Sequence, residues 1–272
     1  DGPPAAETQP VRVTYRGAGC TPDEVTLAPG PVRLEIDNAT DSRVVLAALQ
    51  FGHDQDSGLL TFDPYLTGKH LLTSQTFRSL FRSEVVGGAQ GLAIRDIAIL
   101  FTDIKGSTAL YERIGDLNAY QLVQQHFDWL REATVDHGGA VVKTIGDAVM
   151  AAYPDAAHAV AAALDMRAAA ERFNLGQPER PMSLKIGIHH GTAIAVTLNE
   201  ELDYFGQTVN IAARVQALAN AAEICLTEDV WSYPGVQELV TGLPATQTTA
   251  ELRGVGRKVQ VLRVGQTAAA TG

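Results

Sequence analysis

Apolar and polar residues alternate with period two through much of the first fifty positions. The run "VRVTY" starts at Val11, and a second run places Val32, Leu34 and Ile36 at alternate positions. The turn cluster "DNATD" then separates that run from "RVVLAAL", ending near Leu49. Alternation bounded by turn residues predicts strands, here a hairpin within a small β-sandwich. A polar, turn-rich stretch follows. After it, "HLLTSQTFRSLFRSEV" spaces Leu72, Phe77, Leu80, Phe81 and Val85 as one side of an amphipathic helix. The chain is thus expected to open with a β-rich accessory or regulatory region over 1–90, with a linking helix near 70–85. "GGAQG" at 87–91 punctuates its end.

Beyond that point the period switches back and forth between strand and helix. "IAILFTDI" (97–104) reads as a strand. Tyr120, Val123, Phe127 and Leu130 predict a helix that stops at Gly138-Gly139. "AVVKTIGDAVMAAYP" (140–154) predicts two strands turned at Gly146-Asp147, and an alanine-rich helix follows. "SLKIGIHHGTAIAVTL" is strand-like, "GQTVNIAARVQALANAA" helical, and "EICLTEDVW" and "KVQVLRV" are further strands. The order β-α-β-β-α-β, with additions, predicts an α+β fold of the ferredoxin-like or palm type over 91–265. That plan is an antiparallel sheet with helices on one face. The tail, 266–272, is expected to be disordered.

Composition narrows the class. The 272 residues are 46% hydrophobic and 19% charged, which predicts a soluble globular protein. A net charge of −10 argues against a nucleic-acid-coating role, which needs a basic face. It leaves room for an anionic small ligand held by a few local cations. Cys20 and Cys225 stand far apart and give neither a disulfide framework nor zinc spacing. No apolar run approaches the roughly 20 residues of a membrane helix, and no signal peptide is visible. A cytoplasmic location is expected, and a start at Asp1 suits a segment of a longer chain.

Several side chains can carry chemistry. Asp103 ends a strand, and Asp147 sits in the turn of a later hairpin. In a palm-like sheet these points can be neighbours, and two adjacent carboxylates repel unless cations bridge them. Taken singly, Asp103 is as well read as a helix cap and Asp147 as a turn residue. The turn Gly106-Ser107-Thr108 opens a helix whose first N–H groups form an anion site, and Gly106 lets phosphates approach the backbone. Asn210 and Arg214 share a helix face, suited either to a sugar and a phosphate or to solvent. Lys143 lies at most roughly 13 Å from Asp147 along extended chain, so the two need not serve one end of a ligand. Asp203 precedes an aromatic pair and a glycine. His189 and His190, adjacent on a strand, point to opposite faces and cannot share a metal from there.

Four ordered blocks, "FTDIKGST", "VVKTIGDAVMAAY", "LKIGIHHGTAIA" and "LDYFGQTVNIAAR", resemble the signature blocks of the class III adenylate and guanylate cyclase catalytic domain. The resemblance runs from about 96 to 265. It implies that Asp103 and Asp147, assisted by the Ile104 carbonyl, hold two Mg²⁺ or Mn²⁺ per active site. It implies that Lys143 and Asp203 read the base, that Asn210 and Arg214 orient ribose and stabilise the transition state, and that Arg253 meets the triphosphate. It also implies a homodimer with shared sites, one subunit supplying the acids and the other the remaining set. Adenine offers an acceptor at N1 and donors at N6, which a lysine and an aspartate complement; guanine presents the opposite edge. ATP is therefore the expected substrate. A cyclase of GTP or a pyrimidine nucleotide, and a catalytically silent nucleotide-binding module, are the alternatives. The first ninety residues resemble, weakly, an accessory region ahead of some bacterial cyclase domains. Cys20, His53 and His70 lack the spacing of a copper site.

Overall fold

A computed structural model describes residues 7–16, 20–22, 25–28, 30–40, 67–81, 91–177, 181–198 and 201–265. The predicted strand 43–49 and the tail 266–272 lie outside the described residues. The chain divides into two units, 1–63 and 64–272.

In the first unit, β1 (Gln9–Tyr15) is the middle strand of three. It pairs antiparallel with β2 (Cys20–Thr21) and parallel with β3 (Val32–Asn38). Arg12 and Glu35 face one another in register and form an ion pair at 2.9 Å. The expected hairpin joins the 32–36 run to 43–49, and its second strand lies outside the described residues; its first, β3, runs parallel to β1. Val32, Leu34 and Ile36 are exposed.

The second unit is built on an eight-stranded sheet. Its strands are β4 (Leu92–Ile104), β5 (Ala140–Ile145), β6 (Ala148–Tyr153), β7 (Leu184–Leu198), β8 (Glu201–Phe205), β9 (Glu223–Thr227), β10 (Ala245–Glu251) and β11 (Lys258–Val264). The order is β10-β11-β9-β7-β4-β6-β5, with β8 paired to β7 off this path. All pairings are antiparallel except β7 with β9. The predicted α+β plan is present, and β8 and β10 are additions that the hydrophobic pattern did not mark.

Alternation along β4 divides the core. Ala98, Leu100 and Ile104 point to one side, where α4 (Asp116–Asp136) and α5 (Ala156–Gly176) bury Leu122, Leu130, Val160 and Met166. Ile97, Ile99 and Phe101 point to the other side, toward α6 (Gln207–Leu218), β8, and residues Leu72 and Phe77. Helices therefore cover both faces of the sheet, not one. The close seat of α6 depends on Gly187: a Cβ there would stand 2.1 Å from the Gln216 backbone nitrogen.

The helix expected near 70–85 is two short helices, α1 (Gly68–Leu72) and α2 (Gln75–Leu80). Ser74 breaks the period. It takes an extended conformation, and its hydroxyl accepts the Phe77 N–H, capping α2. Residues 82–85 are outside the described set. In α4 the buried stripe is Ala119, Leu122, His126, Leu130 and Ala133, and Tyr120 is 63% exposed. The stripe is rotated from the aromatic one that the sequence suggests. Alpha helix α3 (Ser107–Ile114) precedes it, and α7 (Glu228–Trp231) and α8 (Val236–Val240) complete the unit. No helix among the described residues is long and apolar enough to cross a membrane.

Candidate active site

Asp103 is the penultimate residue of β4. It stands opposite Lys185 of β7 in register, with Lys185 Nζ 3.7 Å from Oδ2. Asp147 occupies the β5–β6 turn, which Gly146 closes with φ +65°. Burial and the negative charge of Asp147 raise the Asp103 carboxyl above the usual carboxylate range. Lys185, the Gln216 amide and the Ile104 backbone amide oppose that rise. The two acids that the sequence pairs are thus electrostatic neighbours.

Other residues around them went unmarked in the sequence. His126 Nε2 lies 3.3 Å from the Asp147 carbonyl, which can only accept, so this nitrogen carries the proton. Burial holds the His126 ring neutral, with its pKa lowered to about 4. The Tyr111 hydroxyl is pushed up to about 12 by burial and by the charge of Asp147. The only signal for His126 was its place in the α4 stripe. Lys185 and Gln216 reach the acids solely through strand register and helix seating.

A divalent cation fits this site. Asp147 Oδ2 is buried and has no hydrogen-bond partner, and a second carboxylate faces it. A buried, unpaired anionic oxygen is costly, and oxygen donors suit a hard cation. Among the described residues no group of three or more His, Cys, Asp or Glu converges, so the side-chain donors are two carboxylates. Beyond Asp103, Gly106 is the N-cap of α3 with φ +73°, and no side chain caps that helix. The first-turn amides of Ser107 and Thr108 therefore remain available to an anion.

Lys143 of β5 and Asp203 of β8 form an ion pair at 2.5 Å, with Asp203 the more buried partner. The Tyr204 N–H donates to Asp203 Oδ1 at 2.8 Å, fixing the carboxylate plane. Asn210 and Arg214 lie on α6, Asn210 exposed and Arg214 half-buried. The Arg214 guanidinium lies against the β10–β11 loop: a Cβ at Gly254 would be 3.5 Å from Nη2. Arg253, exposed, is the preceding residue of that loop. Among the described residues, no hydrogen bond or ion pair joins Asp103 or Asp147 to Lys143, Asp203, Asn210 or Arg214. His189 and His190 diverge: His189 Nδ1 is 2.8 Å from Thr227 Oγ1, and His190 packs edge-on against Tyr233.

A mainly antiparallel sheet with paired acids at a strand end and an adjacent hairpin turn is the framework of a nucleotidyl cyclase domain. The sequence model of the adenylate and guanylate cyclase catalytic domain matches residues 91–255, more than half of the chain. The chain belongs to that family. Adenylate cyclase 2 of Rhizobium meliloti (strain 1021) is 31% identical over 153 residues, spanning 52% of this chain and 42% of that protein's length. The adenylyl cyclase CyaB from P. aeruginosa matches in structure with a TM-score of 0.56 at 22% identity, covering 66% of this chain and 100% of that one. The guanylyl cyclase Cya2 matches with a TM-score of 0.58 at 20% identity, covering 66% and 96%. Both kinds of cyclase share this fold, so the fold leaves the base open. A second model, for a family of unknown function (DUF5939), matches residues 1–79.

Proposed function

We propose that this chain is an adenylate cyclase, converting ATP to 3′,5′-cyclic AMP and pyrophosphate at sites shared between two copies of itself. Residues 91–265 are the catalytic domain in this reading, and 1–90 an accessory, regulatory region. The observation that carries the base assignment is the Lys143–Asp203 pair, which presents one donor and one acceptor side by side. Lys143 donates to adenine N1, and Asp203 accepts from N6. A guanine edge would leave both mispaired in a partly buried site, a costly error.

Asp103 and Asp147, with the Ile104 carbonyl, would hold two Mg²⁺ or Mn²⁺ ions. Bound there, such ions acidify the ribose 3′-hydroxyl and offset triphosphate charge. The remaining work is positioning and charge stabilisation by the protein. The first-turn amides of α3, released for approach by Gly106, receive phosphate oxygens. Asn210 orients the ribose so that its 3′-oxygen faces the α-phosphorus in line with the departing pyrophosphate. Arg214 donates to the α-phosphate as negative charge builds there, and Arg253 pairs with the triphosphate.

Incubation of the protein with each of the four nucleoside triphosphates and Mn²⁺ or Mg²⁺, with products identified by mass spectrometry, tests this. Cyclic AMP should be the dominant product. Faster formation of cyclic GMP would overturn the base assignment, and no cyclic product from any nucleotide would overturn the enzyme reading.

A further inference from the structure

Strands β5 and β8 carry Lys143 and Asp203, yet no ladder joins them. β5 ends the sheet beside β6, and β8 hangs from β7. Apart from the ion pair itself, the described hydrogen bonds that reach both strands come from the segment of helices α1 and α2. Arg78, only 9% exposed, donates from Nη2 to the Val142 carbonyl at 3.3 Å and to the Leu202 carbonyl at 2.6 Å. Those carbonyls belong to the residues immediately before Lys143 and Asp203. Gln75 Oε1 accepts the Val141 N–H at 2.9 Å, and the Tyr204 hydroxyl donates to the Leu72 carbonyl at 2.9 Å. Each of these four bonds ends within two residues of Lys143 or Asp203.

Local geometry explains why the strands accept this hold. The β5–β6 register shifts between Val141 and Lys143, so Val142 sits at an irregularity and Lys143 is re-aimed there. β5 is also the last strand of the sheet, with backbone groups on its outer side free of strand partners. A buried guanidinium is costly unless it is well bonded, and Nη1 has no partner. Its two Nη2 bonds, the Tyr204 ring 5.9 Å away and the negative charges of Asp203 and Glu201 offset that cost.

We infer that Arg78, supported by Gln75, is a positioning residue for the Lys143–Asp203 pair, bridging β5 and β8 so that the two side chains stand at base-reading separation. This rests on the reading of that pair as the base contact. It makes α2 part of nucleotide selection, although Arg78 lies in the segment matched by the second family and outside the one matched by the cyclase family.

The test compares Arg78→Met, Arg78→Lys and Gln75→Leu with the wild-type protein, each checked for folding by circular dichroism. Arg78→Met keeps length and loses the donors. It should lower the ATP-over-GTP ratio of kcat/KM by about tenfold, chiefly through KM for ATP, as loss of a group supporting a contact residue does. Arg78→Lys, which keeps a donor, should recover part of the ratio. If Arg78→Met does not fold, Gln75→Leu should show a smaller change of the same sign. An unchanged ratio in the folded variants overturns the inference. Amide hydrogen exchange of 141–145 and 201–205 separates this inference from the function it rests on. Should the wild type prove inactive, exchange in both segments must still quicken by about tenfold in the folded variant, the response of a locally released strand. Unchanged exchange would overturn the bridge on its own.

Discussion

Asp147 presents a buried carboxylate oxygen without a partner, beside a second carboxylate whose own ionisation it opposes. Lys185 offsets the charge at Asp103 alone, so a divalent cation that joins both carboxylates adds stability. Addition of Mn²⁺ should therefore raise the melting temperature of the wild type by several degrees, read by calorimetry. Asp147→Asn should abolish that response and lower kcat by roughly 100-fold or more, as loss of a transition-state charge contact does. A second residue-scale expectation concerns His189. Burial lowers its pKa to about 4; Asp229 works against this, while Arg257 and His190 add to it. The unfolded chain binds that proton near pH 6.5, so stability from the neutral ring is full above 6.5 and lost as pH falls toward 4. The loss reaches up to about 3 kcal/mol. Urea midpoints measured across that window should fall for the wild type and fall less for His189→Asn.

Among the elements, α6 matters most to the proposed chemistry because it carries Asn210 and Arg214. Its seat on β7 rests on the missing side chain of Gly187. Gly187→Ala would drive a methyl group into backbone, which cannot swing aside. The substitution should cost on the order of 1–3 kcal/mol in chemical denaturation and lower kcat as well, because α6 must shift. A substitution at Gly106, where a Cβ meets nothing within 4 Å, would differ in kind. Its cost is the left-handed φ rather than a clash. The pair α1 and α2 shows the limit of period counting. Five apolar residues marked one helix, but Ser74 offered the backbone a cap and the segment folded as two.

At the scale of the whole molecule, no hydrogen bond or ion pair among the described residues joins the acids to the Lys143, Asp203, Asn210 and Arg214 set. The proposed shared sites are tested by complementation. Asp103→Ala and Arg214→Ala, each inactive alone, should regain activity when mixed and allowed to exchange subunits. Half of the dimers would then be mixed, each with one intact site, giving about one quarter of wild-type activity per total protein. No recovery in verified mixed dimers would count against shared sites.

Residue types, their order and the hydrophobic period were enough to determine the α+β plan, the hairpin at Gly146-Asp147 and the glycine-opened helix at 107, and to mark Asp103 and Asp147 as candidate neighbours whose proximity the structure then decided. These features rest on local geometry and on motifs of a few residues, which a linear chain displays directly. Tertiary structure alone decided that Lys185 faces Asp103 and that His126 lies beneath Asp147. It also decided that helices cover both faces of the sheet, and that Arg78 holds the strands of Lys143 and Asp203. Each of those facts depends on register, helix rotation or the approach of segments about 60 to 120 residues apart. Such contacts are set by packing and by the pairing of buried polar groups, and side-chain periodicity carries no trace of which partner satisfies which group.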